Sequence, residues 1–153
     1  MSTALKLQPS SLSPSATQNR IQALIAAAPI RATDRVAVIG QGSFDLLLGL
    51  AGNGCMGAVA LRSLSRCRNE IGAADVVWFT GIEAIGSEIA AAIDHLESPR
   101  IVVVELSRDS AKSGLASILG QLRAKGLADQ AISSAGGRTL VVASRPAWLR
   151  RVI

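Results

Sequence analysis

Aromatic side chains are nearly absent from this sequence, which has no tyrosine, two phenylalanines and two tryptophans in 153 residues. Proteins that grip single-stranded nucleic acid usually interleave stacking rings with their basic residues, so that class is disfavoured. Histidine and cysteine are equally scarce: His95 stands alone, and Cys55 and Cys67 are the only thiols. That set satisfies neither a zinc-ligand spacing nor a disulfide framework, and no Ser–His–Asp, metal or phosphate-loop constellation stands out. Two reduced thiols in a cytoplasmic protein are expected. Long apolar runs are missing too, because charges or glycines interrupt each one short of a membrane span. No basic region precedes an apolar core near the start, so a secretory signal is not expected either.

What the sequence does contain is small aliphatic residues and arginine. Apolar residues make up 49% of it, the formal net charge is +5, and most of the 16 basic residues are arginine. Arg62, Arg66 and Arg68 form one cluster; Arg138, Arg145, Arg150 and Arg151 crowd the C-terminal segment. Such clusters can meet phosphate or an acidic partner. Solvated surface charge is the simpler reading, and nucleic acid is not the expected partner. The length suits one domain with a real core. Residues 1–18 are rich in Ser, Thr and Pro and read as a flexible leader; residues 19–153 read as a single domain.

The chain is organised around Arg35-Val-Ala-Val-Ile-Gly-Gln-Gly-Ser-Phe-Asp45. Val36, Val38 and Ile39 suit a strand covered on both faces. Gly40 and Gly42 can take positive φ and let the backbone approach a neighbour or a ligand. Phe44, Leu47, Leu48 and Ala51 then fall at helical spacing as one apolar stripe. A strand, a glycine turn and a helix are how open α/β sheets begin, with the ligand site normally at that turn.

Around this unit the alternation continues. Ile21, Leu24, Ile25 and Ala28 predict a short helix stopped at Pro29. Cys55 to Leu61 predicts a second strand, and Ser63 to Ile71 a short helix. Asp75 opens the central strand Val76-Val-Trp-Phe79. Thr80-Gly-Ile-Glu83 then reads as a capping box for a helix carrying Ile85, Ile89, Ala92, Ile93 and Leu96. Ile101 to Leu106 predicts a buried parallel strand. Leu115, Ile118, Leu119 and Leu122 mark the next helix, which Gly126 ends in the left-handed conformation with Leu127 packing back. Ala131–Ala135 and Thr139–Ala143, joined by Gly136-Gly137, predict a hairpin with a two-residue turn. Strands alternating with helices imply parallel pairing and a three-layer α/β/α sandwich.

This order, closed by an antiparallel hairpin, resembles the class I S-adenosylmethionine-dependent methyltransferases, a Rossmann-like family. The resemblance rests on the Arg35–Asp45 stretch, on Ala74-Asp-Val-Val-Trp-Phe79, on Arg100-Ile-Val-Val-Val-Glu105, on Leu122-Arg-Ala-Lys-Gly-Leu127 and on Gly136-Gly-Arg-Thr-Leu-Val-Val142. It implies S-adenosylmethionine as the candidate cofactor, held at Gly40, Gln41, Gly42, Ser43 and Asp45. Arg62, Thr80 and Glu83 are further candidate contacts, with Glu105 near the same edge and no metal. Plainer explanations exist for several of these residues. A tight turn needs glycine on steric grounds alone, Asp45 favours the helix dipole, and the capping box accounts for Thr80 and Glu83.

The departures from the family pattern carry most weight. Val38 stands where the family's first strand usually has an acid, and Phe44 stands where it has a third glycine. Leu61-Arg62 replaces the carboxylate that accepts the ribose hydroxyl protons, a role no cation can fill. The span from Val36 to Val76 leaves no room for the family's third strand. Each lost carboxylate removes roughly 1.5–3 kcal/mol, so two losses weaken binding about a hundredfold or more. The expectation is a methyltransferase-like protein with a degenerate cofactor site, the non-catalytic reading standing slightly ahead of the enzymatic one. An active small methyltransferase and a basic nucleic-acid-binding module are the alternatives. A small-molecule ligand and a homodimer through the strand edge at Cys55–Leu61 are the expected partners.

Overall fold

Short β-branched segments separated by helical spacings make strands that must be covered on both faces, and the fold follows from that. The computed structural model describes residues 18–40, 42–55, 57–61, 74–80, 99–135 and 137–146. The strands are β1 (Arg35–Gly40), β2 (Gly57–Leu61), β3 (Val76–Thr80), β4 (Ile101–Leu106), β5 (Asp129–Ala135) and β6 (Arg138–Ser144). The helices among the described residues are α1 (18–27), α2 (Ser43–Gly52) and α3 (Arg108–Ala124).

The six described strands form one sheet in the order β2-β1-β3-β4-β6-β5. The β1–β2, β1–β3 and β3–β4 pairs are parallel; β6 runs antiparallel to both β4 and β5. This is the expected α/β sandwich ending in a hairpin. β3 and β4 are buried at every position, as central parallel strands require. Because side chains alternate along a strand, the sheet has two cores. Val38, Trp78 and Val103 pack beneath α1 and α2 with Leu24, Leu46 and Leu50. Ala37, Phe79, Val104 and Val141 pack beneath α3 with Ile118 and Leu122.

Local chemistry sets the element ends. The Ser107 hydroxyl accepts from the Ser110 N–H at 3.2 Å and caps α3. After α3, Gly126 sits at φ +84° and the Leu127 N–H returns to the Leu122 carbonyl at 2.9 Å, the C-terminal motif expected from sequence. Ala135 pairs with Arg138, so the hairpin turn has two residues, as expected. At the amino ends of the parallel strands, the Asp34 carboxylate accepts the Arg31 N–H at 2.7 Å and pairs with Arg100. Asp75 accepts the Arg35 N–H at 2.9 Å. These contacts tie the starts of β1, β3 and β4 together.

Two sequence expectations need correction. The apolar stripe of α2 is not Phe44, Leu47, Leu48 and Ala51: Ser43, Leu46 and Leu50 are the buried residues, while Phe44 is 64% and Leu48 55% exposed. A helix apolar on nearly every side offers overlapping stripes, and spacing alone cannot choose between them. Gly49 makes the choice. A Cβ there would collide with Ile21 Cγ2 and lie 3.1 Å from Ile25 Cδ1, so its absence lets α1 lie close against α2 and sets the rotation of α2. β2 also starts at Gly57 rather than Cys55, and α1 ends at residue 27 before Pro29. The predicted helices over Ser63–Ile71 and after Thr80, the question of a third strand, Cys67, His95 and almost all of the leader lie outside the described residues. No described helix is long and apolar enough to cross a membrane.

Candidate functional site

The winding of the chain reverses at β1, which has β2 on one side and β3 on the other. In open α/β sheets the ligand crevice lies outside the carboxyl ends of the strands at such a reversal. Gly40 and Thr80 are register partners there, so the sequence-predicted turn does stand at the switch point. Gly40 has φ +121° and Gly42 φ +76°. Gly42 occupies the N-cap of α2 with no side-chain cap, and a Cβ on it would meet nothing within 4 Å. Glycine is therefore needed at Gly42 for its backbone angle rather than for a close approach.

The same face of the sheet brings three further residues together. Thr80 continues the Val76 and Trp78 row, and Glu105 continues the Ile101 and Val103 row. Arg138 lies two residues before Leu140, which pairs with Glu105 across the antiparallel β4–β6 ladder. The Thr80 hydroxyl donates to Glu105 Oε2, and Arg138 Nε lies 3.7 Å from that oxygen. Glu105 is 2% exposed. Glu105 Oε1 and Arg138 Nε are both buried without a hydrogen-bond partner. A cavity of about 50 Å³ is lined by Thr80, Glu105 and Arg138, by Arg20, Ile21 and Leu24 of α1, and by Gly42 and Leu46.

Thus Gly40, Gly42, Thr80 and Glu105 gather as the sequence suggested. Ser43 is buried at the start of α2. Asp45, another predicted contact, faces elsewhere: it lines an open cleft of about 690 Å³ between α1 and α2 with Gln18, Gln22, Leu48 and Asn53. Its place in the first turn of α2 fits the dipole explanation. Thr80 spends its hydroxyl proton on Glu105, a contact that the capping box did not foresee. Gln41, Arg62 and Glu83 lie outside the described residues. From sequence Arg138 stood only in the C-terminal arginine cluster, and Ile21 and Leu24 only on a helix stripe; it is the β4–β6 pairing that sets Arg138 beside the end of β4.

Cys55 lies away from this edge, where its thiol donates to the Asp34 carbonyl at 3.6 Å. Burial pushes the thiol up from its ordinary value; a backbone hydrogen bond from Gly57 opposes this, and the nearby Asp34 charge adds to it. Among the described residues, no group of three or more His, Cys, Asp or Glu could hold a metal ion.

The architecture has counterparts among solved structures. The ribosomal protein L11 methylase from Lactobacillus delbrueckii subsp. bulgaricus superposes with a TM-score of 0.60 at 16% identity, over 82% of this chain and 76% of that one. PigF, solved with SAH, superposes with a TM-score of 0.55 at 14% identity, over 84% of this chain and 61% of that one. The chain has the methyltransferase fold. No family model and no curated protein matches it by sequence, so the likeness is one of fold.

Tested against S-adenosylmethionine, the methyltransferase-fold crevice fits poorly at the described residues. Val38, in the acid's place, is wholly buried in the core, and Phe44, in the third glycine's place, projects from α2. β2 ends in the buried Leu61 with no carboxylate on it. Among the described residues, the cavity beside Thr80, Glu105 and Arg138 is several-fold smaller than the roughly 300–1,000 Å³ usual for small-molecule sites.

Proposed function

We propose that this chain is a methyltransferase-fold module that binds rather than methylates. What supports the reading is the described part of the carboxyl edge: Ile21 and Leu24 of α1 line the small cavity there, and Glu105 contacts both Thr80 and Arg138 beside it. A nucleoside would have to displace Ile21 and Leu24 and would find no described carboxylate at Val38 or Leu61 for its polar groups. The α1 cover and the two missing acids act in the same direction.

A second reading keeps some support from the glycine turn. Gly40 and Gly42 hold the backbone angles that let N–H groups at the start of α2 face a ligand. An active small methyltransferase would use that turn for S-adenosylmethionine, with catalysis resting on proximity and orientation. Thermal stabilisation separates the readings. A site with a dissociation constant of about 10 μM, given about 1 mM ligand, gains roughly 2.7 kcal/mol. At about 2–4 °C per kcal/mol for a domain of this size, that is a rise of about 5–11 °C. The module reading expects S-adenosylmethionine and S-adenosylhomocysteine each to move the midpoint by less than about 1 °C. A shift in the larger range, abolished by Gly42→Trp, would establish the enzyme reading instead.

A further inference from the structure

We propose that β5 is a dimer edge: two copies of this chain pair their β5 strands antiparallel about a two-fold axis at Ile132, joining two sheets into one. The inference is independent of the module reading, because β5 and the glycine turn after β1 stand well apart in the sheet. Among the described residues β5 pairs with β6 alone. An edge strand presents a row of unpaired N–H and C=O groups, which native proteins guard with Lys, Pro, a bulge or a covering element. β5 has none of the first three. Asp-Gln-Ala-Ile-Ser-Ser-Ala carries one charge, at its start, and its ladder to β6 runs unbroken from Asp129 to Ala135. Asp129, Ala131, Ile132, Ser133 and Ser134 are exposed, so neither face of the strand is covered.

The hairpin fixes which backbone groups point outward. Ala135 and Arg138 flank the two-residue turn and exchange hydrogen bonds across it. Alternation along an antiparallel ladder gives Ser133 and Ala131 the same inward role, so the N–H and C=O of Gln130, Ile132 and Ser134 face away from β6. A second copy satisfies all of them. With Ile132 opposite the partner's Ile132, Gln130 meets the partner's Ser134 and Ser134 meets the partner's Gln130. No other symmetric register within the strand uses all three residues. The side chains agree with it. Ile132 is 52% exposed, although its β6 neighbour Val141 is buried, and a second isoleucine would cover it. On the other face Ala131 meets the partner's Ser133, and small side chains suit the closer, non-hydrogen-bonded pair. The two Asp129 carboxylates fall at opposite ends, about 20 Å apart along the strand, so their repulsion is screened. β5 is thus self-complementary, as a two-fold interface must be and as an edge built for an unrelated strand need not be.

The test is sedimentation velocity on the full chain from about 1 μM to about 500 μM, a range that spans the weak dimer expected of so small an interface. Wild type should pass from monomer to dimer as concentration rises. Ile132→Lys sets two like charges across the axis, and Ser134→Pro removes an outward N–H without touching the β6 ladder. Each should raise the dimer dissociation constant about tenfold or more. Thermal unfolding checks that each variant is folded, and if one is not, the other decides. Val59→Lys, at an exposed residue of the opposite edge strand β2, should leave dimerisation unchanged. Wild type monomeric over the whole range would overturn the proposal, as would a dimer that survives both β5 substitutions. A dimer lost in Val59→Lys but kept in the β5 variants would overturn it too, and put the contact at the β2 edge expected from sequence. None of these outcomes bears on the cofactor crevice, which titration with S-adenosylhomocysteine reports separately.

Discussion

Gly49→Ala probes the seam between α1 and α2, on which the proposed closure of the carboxyl edge depends. The new Cβ would overlap Ile21 Cγ2 and press on Ile25 Cδ1 at 3.1 Å, and Ile21 is itself a wall of the cavity. Alanine in a helix interior is worth about 1 kcal/mol over glycine, while overpacking a well-filled contact costs typically about 1–3 kcal/mol. The net expectation is a loss of about 1 kcal/mol, with α1 pushed off α2. Gly120→Ala supplies the control, because the same change in α3 meets nothing within 4 Å and should stabilise by about 1 kcal/mol. The two variants should therefore differ by about 2 kcal/mol, or roughly 4–8 °C in midpoint. Urea or thermal unfolding reads the difference, and hydrogen exchange in α1 should speed up in Gly49→Ala only. Equal stabilisation by both substitutions would refute the seating of α1 against α2, and the closed edge with it.

Two further outcomes follow from the amino edge. Arg100→Ala leaves the 5%-exposed Asp34 carboxylate with the Arg31 N–H as its remaining described partner. Breaking a fully buried pair costs about 3–5 kcal/mol; Arg100 is part-exposed, so a loss of about 2 kcal/mol in urea unfolding is expected. The Cys55 thiol is held above its ordinary value of 9.0, so the folded state binds that proton more tightly than the unfolded chain does. Its contribution is complete below the unfolded value and is lost as pH rises through the folded one. The stability of wild type relative to Cys55→Ala should thus hold at neutral pH and fall as pH rises past the ordinary value of 9.0, and a constant gap between the two would contradict the assignment.

The fold was largely legible because its strands are short, β-branched and separated by clear helical spacings. Val76–Phe79 and Ile101–Leu106 read as central strands, and both are wholly buried. What periodicity could not read was the rotation of α2, which Gly49 sets through a partner helix distant in sequence. The candidate site was half legible. Gly40, Gly42, Thr80 and Glu105 share the carboxyl edge because each ends or follows a parallel strand. Arg138 joins them through antiparallel pairing, which a local pattern does not reveal, and Asp45 falls away because helix position says nothing of which neighbour a side chain meets. Arg20, Ile21 and Leu24 reach the site through the docking of α1, which Gly49 permits but which spacing within either helix does not reveal.

The central claim, that the fold is kept while the cofactor crevice is closed, meets its most direct test in calorimetric titration with S-adenosylmethionine and S-adenosylhomocysteine. The account predicts no saturable heat for either ligand up to millimolar concentration. A micromolar isotherm that disappears in Gly42→Trp would contradict it and restore the crevice as a working cofactor site.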